Sequence, residues 1–148
     1  MPTLTFPISP FVGASVHAVI TPSPHDESEV RELSVRGIID TGAAFTSIDN
    51  SVVQLLGLEP VEKQLIHGIT TGAKPVPGHI YRINVRIYTP DSNEQDYCVR
   101  NIMAYGGDLF RMWVDGCQAM FGLDVLEHCL FGYNGVLQTF SMTYGGQG

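Results

Sequence analysis

Residues 33–57 read LSVRGIIDTGAAFTSIDNSVVQLLG. Leu33 to Asp40 is β-branched and roughly alternating, which predicts a strand. It ends in Asp40-Thr41-Gly42, residue types that favour a sharp turn. After Thr46-Ser47-Ile48 comes Asp49-Asn50-Ser51, a cluster suited to capping a helix N-terminus, and Gly57 is placed to stop the helix that VVQLLGL would form. Strand, acidic turn and capped helix follow one another without a linker, and the rest of the chain has to be fitted around them.

Upstream, Phe11 to Thr21 (FVGASVHAVIT) predicts a partner strand, closed by Pro22-Ser23-Pro24 and a polar loop through Glu32. Downstream, Lys63 to Ile69 and Gly78 to Tyr88 alternate on either side of Thr70 to Pro77, which predicts a long hairpin with a protruding tip, since Pro75 and Pro77 donate no backbone hydrogen bond. Tyr97 to Tyr105 predicts another strand, followed by an irregular insertion from Gly106 to Cys117. Met120-Phe121-Gly122 then leads into a short helix over Leu123 to Cys129. Asn134-Gly135 signals a two-residue hairpin turn joining Leu130–Tyr133 to Val136–Tyr144. The expectation is one mostly-β domain over 1–148, with its core at about 11–144 and a flexible tail at 145–148.

Composition narrows the function. The chain has 148 residues, 44% hydrophobic and 16% charged, enough for one core without a stabilising metal or disulfide. Its net charge is −7 and its eight basic residues are scattered singly, which gives no footprint for nucleic acid. No apolar run approaches the roughly 20 residues of a membrane-spanning helix, and no secretory signal is visible at Met1, so a cytoplasmic protein is expected. Cys98, Cys117 and Cys129 lack metal-type spacing and suit free thiols. The five histidines show no paired ligand spacing, so no metal site is expected. His67 and His79 flank the hairpin tip and are the two that could face a substrate.

Asp-Thr-Gly is a weak motif alone, and its order among the other elements carries the information. A strand precedes the triplet, Ala43 and a capped helix follow it, a hairpin comes next, and about 80 residues downstream two apolar residues and a glycine, Met120-Phe121-Gly122, open a helix. This order resembles the retropepsin family of single-lobe aspartic proteases over roughly Phe11 to Tyr144. The resemblance implies a closed acid-protease barrel with one or two short helices. It implies that Asp40 is the catalytic aspartate, supported by Thr41, Gly42 and Ala43, with Thr41 bonding across a dimer axis. It further implies that Ile69, Thr70, Thr71, Gly72 and Ala73 form a substrate-covering flap tip, and that Phe121 and Gly122 form the floor of the Asp40 loop.

Peptide hydrolysis by this chemistry needs a carboxylate to take a proton from water and a carboxylic acid to polarise the scissile carbonyl, and it implies no organic cofactor. Two adjacent carboxyl groups share one proton because both cannot ionise together. This chain has one Asp-Thr-Gly, so a C2 homodimer acting on a peptide or protein is the expected working unit. Ala43 offers no hydroxyl to a catalytic carboxylate, which points to a working pH between mildly acidic and near-neutral. Asp124 reads as a first-turn helix aspartate. Trp113, Phe110 and Met112 read as a plug within the insertion. Two rivals stay open on sequence: a dimer of the same fold that binds peptide or protein segments without cleaving them, and a monomeric barrel for a small ligand.

Overall fold

A computed structural model describes residues 1–23, 31–68, 72–108 and 116–145. The strands are β1 (Thr3–Pro7), β2 (Ser15–Pro22), β3 (Leu33–Ile39), β4 (Ser47–Asp49), β5 (Glu62–Gly68), β6 (Gly72–Tyr88), β7 (Tyr97–Gly107), β8 (Ala119–Phe121), β9 (Leu130–Asn134) and β10 (Thr139–Thr143); the helices are α1 (Asn50–Leu56) and α2 (Leu123–Leu126). Six strands in the order β2-β3-β8-β4-β7-β6 close into a barrel through β2–β6 pairing, and β5 extends the sheet beyond β6.

Alternation sets which side chains fill the barrel. Val16, Ala18 and Ile20 of β2, Val35, Gly37 and Ile39 of β3, and Tyr81, Ile83, Val85 and Ile87 of β6 are buried two residues apart. On β7 the buried set is Tyr97 and Val99, then Ile102 and Ala104, a shift of phase by one residue. The shift coincides with a register change opposite Ile83 and Val85 and with Asn101 at φ 59°. The backbone N–H of Asn101 donates to Asn84 Oδ1 at 3.1 Å, so the bulge has its own side-chain brace.

The expected helix forms over Asn50–Leu56. Asp49 caps it by accepting from Ser51 N, and Gly57 ends it at φ 60°. β3 runs parallel to β8, β8 antiparallel to β4, and β4 parallel to β7. β8 therefore threads between the two strands that flank the Asp40 turn, and Ile39 lies opposite Phe121. This passage needs a small residue on β3, because a Cβ on Gly37 would fall 2.2 Å from the Phe121 ring.

A second, three-stranded antiparallel sheet has the order β1-β10-β9. Its buried side chains are Leu4, Phe6, Phe140, Met142 and, just after β10, Tyr144. Phe6 stacks on Phe140 at 5.0 Å between centroids and Tyr144 meets Tyr97 of the barrel at 5.0 Å, which fastens this sheet to the core.

Several expectations are corrected. The strand predicted from Phe11 starts at Ser15, because Ser9 Oγ accepts from Phe11 N and Val12 N and Gly13 takes φ 78°, folding 9–13 into a turn. β1 was not expected, and its Leu4 and Phe6 are core residues. β6 begins at Gly72 and runs through both prolines, with Leu65 opposite Pro77. Among the described residues it pairs with β5 alone before Ile80, so on its other side no described strand forms a ladder to which proline must donate. The insertion expected from Gly106 starts later, since Gly106 and Gly107 pair with β4. The helix expected to reach Cys129 ends at Leu126. The hairpin turn expected at Asn134-Gly135 is longer: Asn134 Oδ1 accepts from Val136 N and Leu137 N, and Gln138 at φ 55° returns the chain into β10.

Candidate active site

Asp40 leaves β3 where two backbone hydrogen bonds hold the chain on either side. Ile39 N donates to Ala14 O and Asp40 N to Phe121 O, each at 2.9 Å. Ala43 N donates to Asp40 O at 3.2 Å and closes the turn. Gly42 N donates to Asp40 Oδ1 at 2.8 Å, which orients the carboxylate; a Cβ on Gly42 would stand 3.2 Å from that same oxygen. Asp40 is half-buried, while Thr41 and Gly42 are exposed. The loop thus presents a fixed carboxylate beside an accessible threonine.

Beneath it, Leu123 N donates to Ala43 O at 2.8 Å and Asp124 N to Ala44 O at 3.3 Å, so the start of α2 takes up the carbonyls of the loop. Phe121 is fully buried, and a Cβ on Gly122 would meet Ala43 O at 2.6 Å and Phe45 O at 2.8 Å. These are the two floor residues that the sequence reading named, and only glycine at 122 permits this approach.

Thr46 and Asp124 complete the floor, and sequence reasoning did not pair them. Thr46 is wholly buried. Its N–H donates to Asp124 Oδ2 at 2.9 Å, its hydroxyl donates to Asp124 Oδ1 at 2.7 Å, and its Oγ1 accepts from Gly122 N at 3.3 Å. Asp124 does lie in the first turn of α2, but its carboxylate is spent on this clamp across the chain rather than on the helix end alone. Asp40 is left as the carboxylate that the loop offers to a ligand.

Thr46 O also accepts from Tyr105 N at 3.0 Å, and the Phe45 ring stands edge-on to Tyr105 at 5.7 Å. Tyr105 lies opposite Ile80 on β6, so this aromatic pair links the Asp40 loop to the base of the β5–β6 arm. In that arm Gly68 pairs with Gly72. The expected flap residues Ile69, Thr70 and Thr71 lie outside the described residues, as do Phe110, Met112 and Trp113; Gly72 and Ala73 belong to β6. His79 meets Tyr81 at 6.5 Å.

The cysteines are no competitors as nucleophiles. Burial pushes the pKa of each thiol up, which depletes the reactive thiolate. Among the described residues no group of three or more His, Cys, Asp or Glu side chains is placed to hold a metal ion, and no helix is long and apolar enough to cross a membrane.

Residues 27–91, the segment containing Asp40 and the β5–β6 arm, match the sequence profile of the aspartyl protease family. The retropepsin-like aspartic protease from Rickettsia conorii has a similar structure, with a TM-score of 0.60 over 98% of this chain and 93% of that one at 12% identity. The chain has the fold of retropepsin-like aspartic proteases, and its segment 27–91 is similar to the aspartyl protease family. No curated protein sequence matches it significantly. The retropepsin-like assignment accounts for the β8 passage between β3 and β4 and for the glycine floor under Asp40.

Proposed function

We propose that this chain is one protomer of a homodimeric aspartic endopeptidase, with Asp40 and the same residue of the partner forming the catalytic dyad. The observation that carries the reading is the Asp40 turn: one oxygen of its carboxylate accepts from Gly42 N, and the turn stands on a floor that uses up the neighbouring Asp124. One protomer offers one such carboxylate. The dyad needs two, sharing a proton, so that one takes a proton from water while the other donates to the scissile carbonyl oxygen. The water adds to the carbonyl carbon, and the resulting non-covalent diol breaks down as the amide nitrogen is protonated and leaves. The substrate is an extended peptide bound beside the β5–β6 arm by backbone hydrogen bonding, with apolar side chains in alternate pockets.

Incubation with a peptide library across acidic and neutral pH tests this, read by mass spectrometry of new termini. Wild-type protein should cleave, and Asp40→Asn should lose activity by about 10²–10⁴-fold while its circular dichroism is unchanged. Equal activity in the variant would overturn the assignment. A folded wild-type protein that cleaves nothing would favour a peptide-binding role.

A further inference from the structure

We infer that the outer face of β2, β6 and β7 carries a binding site for a small anionic ligand, one that presents several phosphate or carboxylate oxygens. The site is independent of the chemistry read at Asp40 and lies towards the other end of the barrel.

A cavity of about 480 Å³ opens on this face, a size suited to a small molecule. Val19 lines it and is 6% exposed, yet it does not belong to the cluster that fills the barrel. On β2 it is one residue out of step with Val16, Ala18 and Ile20, so it lies on the outer side of the sheet and is buried there. Around it stand Ser23, Asn84, Arg86, Arg100 and Asn101.

The two arginines are apart in the sequence and are brought together by strand register. Arg86 lies opposite Cys98, and Arg100 follows two residues later on β7, so the two are diagonal neighbours across paired strands. Arg86 is held by Asp96 at 2.8 Å and over the Tyr88 ring at 5.9 Å, which fixes its guanidinium in advance of any ligand. Arg100 is exposed, and among the described residues it has no ion-pair partner. Arg82, also exposed, lies on the same side of β6 two residues before Asn84. Against these three cations stand Asp96, already engaged, and Glu32, whose charge acts on Arg86. In a chain of net charge −7, this is a local excess of positive charge.

The neutral side chains favour the same ligand. Asn101 sits at φ 59° where the β6–β7 register shifts, and a bulge of this kind re-aims side chains. Asn84 Oδ1 accepts from Asn101 N at 3.1 Å, and Asn101 Oδ1 accepts from the Ser23 hydroxyl at 2.6 Å. Both amide oxygens are thereby engaged, and both amide NH2 groups remain as donors. Guanidinium and amide donors around one cavity complement a ligand made of acceptor oxygens, and arginine can meet a carboxylate or phosphate through two parallel bonds.

Distance separates this site from the Asp40 loop. Ala14 O, just before β2, accepts from Ile39 N beside Asp40, whereas the cavity residue Thr21 lies towards the other end of β2, about 23 Å further on at roughly 3.3 Å per residue. A ligand bound there leaves the Asp40 loop open to a peptide.

Amide NMR titration of the full chain with citrate, pyrophosphate and a pentaglutamate peptide, at one fixed ionic strength, tests the assignment. Citrate or pyrophosphate should give saturable shifts at Ser23, Asn84, Arg100 and Asn101 and none at Thr41 or Gly42. Arg100→Gln should weaken that binding by about 10-fold or more, the scale of one lost charged hydrogen bond. Lys63→Gln removes the same charge from an exposed position on β5 and should leave the binding unchanged. Both side chains are exposed, so both variants should fold; if one does not, the location and saturation of the wild-type shifts decide alone. The inference is overturned by the lack of a saturable shift with either anion, by shifts centred elsewhere, or by equal affinity in Arg100→Gln. An equal loss in Lys63→Gln, or tighter binding of the peptide than of either small anion, overturns it as well.

Discussion

Thr46 shows how much of the site depends on a residue with no chemical step of its own. Its hydroxyl is both donor to Asp124 and acceptor from Gly122 N, and it is fully buried. Thr46→Val keeps the shape and removes both bonds, leaving the Asp124 carboxylate short of a donor. The expected loss is about 1.5–3 kcal/mol, the range for hydrogen bonds to charged groups, read as a lower denaturation midpoint; Thr46→Ser should recover most of it. An unchanged midpoint in the valine variant would show that the clamp adds no stability. Ala43 bears on pH instead. A hydroxyl added there can bond a catalytic carboxylate and favour its charged form, so Ala43→Ser should move the pH-rate profile for peptide cleavage to lower pH. No displacement of that profile would refute the argument. The Asp40-Thr41-Gly42 turn and the Phe121-Gly122 step could be picked out of the sequence because each is a local pattern. The Thr46–Asp124 pair could not, because its partners are 78 residues apart and nothing in either neighbourhood names the other.

At the scale of elements, legibility followed length and capping. β3 and α1 were readable because one has seven residues of strand pattern and the other has Asp49 and Gly57 at its ends. β8 has three residues, too few to show a period of two, and its place between β3 and β4 is set by long-range pairing. The packing of β3 on β8 is open to direct test. A Cβ at Gly37 would fall 2.2, 2.7 and 2.9 Å from three atoms of the buried Phe121 ring, so Gly37→Ala forces Phe121 or β3 to move. Overpacking of this kind costs about 1–3 kcal/mol, and the strand that shifts is the one that carries Asp40. Peptide cleavage by Gly37→Ala should fall together with its urea midpoint. Wild-type stability and activity in this variant would mean that the ring relocates without cost.

For the molecule as a whole, closure of the barrel buries groups that titrate above neutrality, and these are expected to set the alkaline limit of stability. Burial raises the pKa of Cys98, Cys117 and Cys129, and also those of Tyr97 and Tyr144. For each group the neutral, protonated form is the one the fold prefers. Below the unfolded-state values, about 8.5 for cysteine and 10 for tyrosine, both states hold the proton and stability from these groups is fully present. Above them the unfolded chain releases protons that the folded chain retains, so stability falls as pH rises. The decline should start near pH 8.5 and steepen past about pH 10. Tyr97 has the large shift, and its hydroxyl donates to Val125 O of α2. Tyr97→Phe should therefore be less stable than wild type at pH 7, from loss of that bond, yet lose less further stability between pH 10 and 11. Urea midpoints at pH 7, 9, 10 and 11 for both proteins measure this directly. Parallel curves would show that Tyr97 ionises as readily in the folded chain as in the unfolded one, and that the alkaline limit is set elsewhere.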